Sequence, residues 1–253
     1  MKIIFYILTF ISSCALINAQ GFDWQYSARM PFESPVLFFG LTGEFNHLIH
    51  NGSLDLEEDT CHCGAYKTGQ GEGYTAGLAG EYWLDGLTAI TFSAIYNYSP
   101  GKFTVKADPL PRENGGVLLT EYEFTSKIAY LLIEPGIKYR LVDSHFHIGG
   151  SIQFGFLLDN NAVHKEKIVG DKDAPQFPTN PPSYERILST GRISELNSIF
   201  LQPKIRLGYD LTYGLGLYAT PNISIGIPIF NLAKSSEWRR WSFSAGLTVY
   251  WGI

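Results

Sequence analysis

The chain has 253 residues, a formal net charge of −5, few charged residues (17%), 15% aromatics and 26 glycines. An acidic balance with no Lys/Arg stripe excludes a phosphate-backbone partner, so no nucleic-acid ligand is expected. Beyond the N-terminus no apolar run reaches the ~18 residues a membrane helix needs, whereas abundant aromatics and glycines suit a β-rich wall.

Residues 1–19, MKIIFYILTFISSCALINA, read as a secretory signal: Lys2 is the short basic region, residues 3–11 the apolar stretch, and Ile17-Asn18-Ala19 the cleavage site. A second processing reading exists, because Ile11-Ser12-Ser13-Cys14 resembles a bacterial lipobox and would leave Cys14 lipidated. Residues 20–35 show no sustained period and read as a periplasmic lead-in to a barrel over 36–253.

The first strand, residues 36–48, sets Leu37, Phe39, Leu41 and Phe45 against Gly40, Thr42, Glu44 and Asn46. A polar, acidic loop over 49–72 leads to residues 73–84, where Tyr74, Ala76, Leu78 and Tyr82 oppose Thr75, Gly77, Ala79 and Glu81. Asp85-Gly86 is a hairpin signal. Residues 88–99 alternate in the same way, with Ile90, Phe92, Ala94, Tyr96 and Tyr98 on one face. A connection over 100–126 carries strand-like edges, at 102–106 and 117–124, that extend the hairpin beyond a membrane.

The clearest pair of strands follows. Ala129, Leu131, Ile133, Pro135, Ile137, Tyr139 and Leu141 oppose Tyr130, Leu132, Glu134, Gly136, Lys138 and Arg140. After Val142-Asp143-Ser144, Phe146, Ile148, Gly150, Ile152, Phe154, Phe156 and Leu158 oppose His147, Ser151 and Gln153. A long connection over 159–197 precedes residues 198–211, which set Ile199, Leu201, Pro203, Ile205, Leu207 and Tyr209 against Gln202, Lys204, Arg206 and Asp210. Two more alternating runs, 215–229 and 241–253, complete the chain.

Eight strands with connections alternating between long and short predict an all-β fold, an eight-stranded antiparallel up-and-down transmembrane β-barrel. Its long loops (49–72, 100–126, 159–197) face outside and both termini lie in the periplasm of an outer membrane. Tyr82, Tyr139, Tyr209 and Trp251 near the short turns, and Tyr96, Tyr98, Phe156 and Trp241 near the long loops, predict two interfacial belts. Pro135, Pro203 and Pro221 fall on the lipid face, where each removes a ladder bond, and predict local bulges.

The inward positions carry Glu44, Glu81, Glu134 and Asp210 with Lys138, Arg140, Lys204 and Arg206. An eight-stranded interior is just wide enough for side chains, and buried ions must be paired, so these eight residues predict a charge-paired lumen closed to flow. Cys61-His62-Cys63, preceded by Asp55, Glu57, Glu58 and Asp59 and near His47 and His50, is the one ligand-like cluster. Cys61 and Cys63 are read as a disulfide or as structural thiols, and less readily as metal ligands, because zinc sites space their cysteines by two or more residues. GQGEG, with Gly69, Gly71 and Gly73, precedes no helix and is not a phosphate loop. Ser144, His145 and His147 are read as turn polarity, so no catalytic set, metal or cofactor is expected.

YLLIEPGIKYRL followed by FHIGGSIQFGFLL resembles the central hairpin of the outer-membrane β-barrel domain of Bacteroidota and Chlorobi-type bacteria, the OmpA-type or PorT-like barrels. The last strand resembles the signal read by the barrel-insertion machinery, with Ser244, Gly246, Val249 and Trp251 at its polar, glycine, hydrophobic and aromatic positions. The barrel with its long outer loops is expected to be a scaffold in outer-membrane lipid whose loops bind or adhere to an unidentified extracellular or periplasmic partner. The PorT-like resemblance implies, as an alternative, an accessory part of a secretion machine, and a lipid A-modifying barrel enzyme is the less readily expected one.

Overall fold

A computed structural model describes residues 37–54, 66–112, 116–141, 144–170, 176–213, 217–234 and 236–252. The signal segment 1–19 with Cys14, the lead-in 20–35, and Cys61, His62 and Cys63 lie outside the described residues. Among the described residues the regular elements are all strands: β1 (Leu37–Leu54), β2 (Tyr66–Trp83), β3 (Thr88–Lys106), β4 (Leu110–Arg112), β5 (Gly116–Arg140), β6 (Phe146–Val169), β7 (Glu185–Gly191), β8 (Ile199–Tyr209), β9 (Leu211–Thr212), β10 (Leu217–Gly226) and β11 (Glu237–Gly252).

Eight of them form a closed antiparallel ring in chain order: β1, β2, β3, β5, β6, β8, β10, β11 and back to β1. Closure comes from the pairing of the two terminal strands, uninterrupted from Phe38↔Gly252 to Ser53↔Glu237. Three short strands stand outside the ring. β4 leans on β5, β9 continues β8 along β10, and β7 adds to the outer half of β6.

The faces follow the alternation. Phe39, Leu41, Phe45, Leu78, Phe92, Ile137, Ile152, Ile205, Ile223 and Phe243 are exposed on the outside, while Glu44, Thr75, Glu81, Ser93, Asn97, Gln153 and Ser224 are buried inside. An apolar face turned to the surroundings and a polar face turned inward is the reverse of a soluble sandwich. Along β5 and the residue just after it the outward apolar band runs from Leu141 to Leu131, about 33 Å of chain at ~3.3 Å per residue. Tilted by about 40° it is roughly 25 Å tall, the height of an outer-membrane apolar band.

Strand continues well into the segments read as loops at 49–72, 100–126 and 159–197. The reason is an inversion of the code. Along β3 the exposed side is Ile90, Phe92 and Tyr96 and then becomes Lys102, Thr104 and Lys106, while the inward side passes from Ser93 and Asn97 to Phe103. Above a hydrocarbon layer, water favours a polar outer face and an apolar inner one, so the alternation persists with its sign changed. The edges 102–106 and 117–124 lie in β3 and β5, as the sequence suggests.

The bulges expected at Pro135, Pro203 and Pro221 are not there. Register shifts fall instead between Asn51 and Leu54, at Ala129/Tyr130 and at His164/Lys165. Each proline keeps one ladder continuous, at Phe92↔Pro135, Ile152↔Pro203 and Pro221↔Leu247. On the other side the β5–β6 ladder skips Glu134 and Pro135, the β8–β10 ladder ends at Gly226↔Lys204 beside Pro203, and pairing along β10 skips Thr220 and Pro221. In an antiparallel strand a residue's N–H and C=O point to the same neighbour, so proline weakens one ladder and leaves the register intact.

Glycines make room for the largest inward side chains: a Cβ on Gly155 would sit 1.9 Å from the Phe200 ring. Gly155→Ala is therefore expected to destabilise the barrel by about 1–3 kcal/mol through overpacking, read as a lower urea midpoint of gel-shifted, folded protein in detergent. Adding Phe200→Leu should restore the midpoint, and a Gly155→Ala protein as stable as the parent would show that Phe200 does not fill this space.

Candidate functional site

Glu44 of β1, Glu81 of β2, Glu134, Lys138 and Arg140 of β5, Lys204 and Arg206 of β8, and Asp210 just after it all point into the barrel. They gather into two groups. In the group nearer the long loops, Lys204 Nζ lies 2.6 Å from Glu44 Oε2, and Arg206 Nη2 bridges Glu44 (3.2 Å) and Glu134 (2.9 Å). Ser151 and Gln153 each donate to Glu134 at 2.8 Å. In the other group Lys138 Nζ reaches Glu81 at 2.8 Å and Asp210 at 3.2 Å. Thr220 donates to Asp210 at 2.8 Å, and Trp83 Nε1 and the Tyr218 hydroxyl donate to Glu81. The Arg140 guanidinium lies 4.7 Å above the Trp83 ring.

Layers of rings close off these ions on both sides. At the short-turn end Phe38, Trp83, Tyr218 and Tyr250 pack together, Tyr218 and Tyr250 stacked at 4.9 Å. Toward the long loops, Tyr66, Phe103, Phe124, Tyr130, Phe200 and Trp238 form an apolar layer. Two connections fold over it: Leu196, Leu232 and Ala233 are buried in the same cluster, and backbone bonds from Asn197 N to Leu232 O and from Lys234 N to Glu195 O (2.8 Å each) tie the connections to each other. The inward positions include Tyr130, Tyr218 and Tyr250, yet charge alone does not reveal that rings cap the ions.

One participant lies just before the last strand as read from sequence. Arg240, buried on β11, crosses the lumen to donate to Ser99 of β3 and to Gln202 Oε1 of β8. The Phe200 ring lies 4.9 Å and the Tyr130 ring 5.8 Å from its guanidinium, and no carboxylate pairs with it among the described residues. Carrying the alternation back from Ser242 through Arg240 to Trp238 is the signal that finds it.

The other candidates separate. His47 faces outward, 2.7 Å from Glu72, whereas His50 faces inward, accepting from Trp238 Nε1 at 3.0 Å, with its Nε2 3.2 Å from the Pro100 carbonyl. Three residues apart on a strand, the two imidazoles lie on opposite faces and cannot share an ion. Ser144 donates to the Leu141 carbonyl, His145 packs on Tyr209, and His147 points inward with Nδ1 3.4 Å from Asp210. The trio does not converge on one reacting position. Of the residues resembling the assembly signal, Ser244 and Gly246 face inward and Val249 and Trp251 outward. A Cβ on Gly246 would meet Glu44 Cγ at 2.5 Å, so this glycine makes room for the lumen carboxylate.

Above the apolar band the outer half of the barrel carries an ionic grid. Lys106 sits opposite Glu121, Glu121 opposite Lys167, and Lys167 opposite Glu185, so charges of alternating sign run across β3, β5, β6 and β7. Glu123 is held by Lys102 (2.8 Å) and Lys167 (2.9 Å). Burial pushes the Glu123 carboxyl up, and hydrogen bonds from the two lysines outweigh it, leaving the group below its ordinary value of 4.5. On Lys167, bonds to Glu123 and then Glu185 outweigh burial and raise the ammonium above 10.5.

Two outcomes test these contacts. Glu134→Ala leaves Arg206, Ser151 and Gln153 short of an acceptor and is expected to cost about 3–5 kcal/mol, read from urea midpoints in detergent; an unchanged midpoint would show that the ions do not hold the barrel. A carboxyl depressed on folding stabilises fully above its unfolded pKa and loses that contribution as pH falls through the folded value. Glu123 should therefore titrate below 4.5 by carbon-detected NMR. Replacing Lys102 and Lys167 with Met should move its midpoint upward, since burial then acts alone.

No family model and no curated protein matches the chain. Among solved structures it is similar to the attachment invasion locus protein Ail of Yersinia pestis, at 8% identity and a TM-score of 0.33, over 85% of this chain and 99% of that one. It is also similar to the outer membrane protein OprG of Pseudomonas aeruginosa (12% identity, TM-score 0.39, 87% and 98% covered). A third is the outer membrane protease OmpT of Escherichia coli (9%, 0.30, 86% and 96%). The assignment of an eight-stranded barrel rests on the chain's own strand pairings.

Proposed function

We propose that the protein is an integral outer-membrane barrel that works as an anchored scaffold, holding a β-wall outside the membrane for binding or adhesion. The observation that carries this reading is the inversion of the apolar face along single strands, as on β3 between Tyr96 and Lys102. An outward apolar band roughly 25 Å tall requires lipid, and a closed ring leaves no unpaired strand edge inside that lipid. The polar outer face above the band then belongs in water.

The lumen supports a scaffold better than a channel. Two aromatic layers and two groups of paired ions occupy a cylinder whose interior is only wide enough for side chains. The outside offers the binding surface. β5 and β6 (25 and 24 residues) rise well past β10 (10 residues), so the wall stands on one side of the rim. Ser144, His145 and His147 do not converge on one reacting position, and the scaffold proposed is a non-enzymatic one.

The test is reconstitution. Purified in detergent, the protein should run faster on a gel unheated than boiled, and in planar bilayers it should insert without current steps above the lipid leak. Discrete ion conductance would replace the scaffold with a pore, and extraction by carbonate wash alone would remove the membrane assignment.

A further inference from the structure

Between the two groups of lumen ions lies a small cavity bordered by Lys138, His147, Gly149, Arg206, Asn222 and Tyr250. About 20 Å³ of it is open to the centres of water molecules, room for roughly one or two at ~10–15 Å³ each. Two side chains on its border, Arg206 through Nε and Asn222 through Oδ1, have buried polar atoms with no hydrogen-bond partner in the protein, and His147 Nδ1 has only its long 3.4 Å approach to Asp210. His147 and Asn222 are each more than nine-tenths buried. Unmatched polar atoms are costly in a low-dielectric interior, and two of them beside an under-bonded imidazole on one polar cavity point to a shared partner.

From this convergence we propose that the cavity is a structural hydration site, with one or two waters accepting from Arg206 Nε–H, donating to Asn222 Oδ1 and reaching the His147 ring. Water suits the site better than an ion. The border joins Lys138 and Arg206 to carboxylates that already hold them, Glu81 and Asp210 on one side and Glu44 and Glu134 on the other. A bare anion would meet the Glu81 carboxylate on the border, and a cation the two bases. A water can donate to one group and accept from the other, joining the two ion groups into a single network across the middle of the barrel.

This inference rests on the sealed lumen, and Gly149 gives a means of testing it. Most inward glycines have no room for a side chain, whereas a Cβ on Gly149 would meet nothing nearer than the Ile137 carbonyl at 3.3 Å and Arg206 Cβ at 3.9 Å. Gly149→Ala therefore takes cavity space while leaving the ion pairs in place. In micelles, water-to-protein cross-relaxation is expected at the Gly149 α protons and the Asn222 side-chain amide of the folded parent. The Asn222 signal should weaken at least two-fold in Gly149→Ala while the gel shift of the folded barrel is kept. Should that variant fail to fold, Asn222→Leu must abolish the Gly149 signal instead. No cross-relaxation in the folded parent, or signals indifferent to whichever variant folds, would overturn the site. Bromide density at this position in crystals grown from bromide would make it an anion site and overturn the proposal too. Conductance of the parent would sink the sealed lumen itself, and it is read separately from these signals.

Discussion

Everything in this molecule depends on where its backbone N–H and C=O groups find partners. A strand with a free edge in hydrocarbon leaves a row of them unmet at several kcal/mol each, and closure of the ring by β1 against β11 removes the edge. The alternation of faces then follows, since every residue of a closed wall must point either to lipid or to the lumen. The interior is narrow, so inward side chains must neutralise one another. Glu44, Glu134, Lys204 and Arg206 do so directly, and Arg240 relies on hydroxyl, amide and ring contacts.

The aromatic layers give the ions their setting. Phe38, Trp83, Tyr218 and Tyr250 on one side and the Phe103, Tyr130, Phe200 and Trp238 group on the other separate the charged middle from both ends. Charge pairs strengthen as water is excluded, so the rings and the ions support each other. The same rings share hydrogen bonds with the ions, as where Trp83 and Tyr218 donate to Glu81. Interior glycines complete the fit by giving up volume beside Phe200 and Glu44.

The barrel's membrane half was legible because lipid imposes a strict code: Ile133, Pro135 and Ile137 out, Glu134 and Lys138 in. Its outer half shows in the sequence only as strand-like edges at 102–106 and 117–124, because the code changes sign there, and a strand with Asp159 and Asn161 outside and Ala162 inside resembles polar linker until its neighbours are known. The eight inward charges were visible one by one, but their partners come from strands far apart in the chain, such as Lys204 with Glu44, and periodicity holds no information on azimuth. Arg240 was missed because its strand begins earlier than the apolar run suggests. The prolines misled for a related reason: sequence shows the lost N–H but not which neighbour it would have faced.

The ladders are unequal around the ring. β5 and β6 are joined from Leu119↔Val169 to Arg140↔His147, whereas β8 with its continuation β9 meets β10 in two short stretches, Tyr218↔Thr212 to Ala219↔Leu211 and Asn222↔Gly208 to Gly226↔Lys204, broken at Thr220 and Pro221. A cylinder stitched this unevenly has a preferred tear line. Mechanical load or thermal agitation would part the staves at β8 and β10 long before it reached the seam where the two chain ends meet.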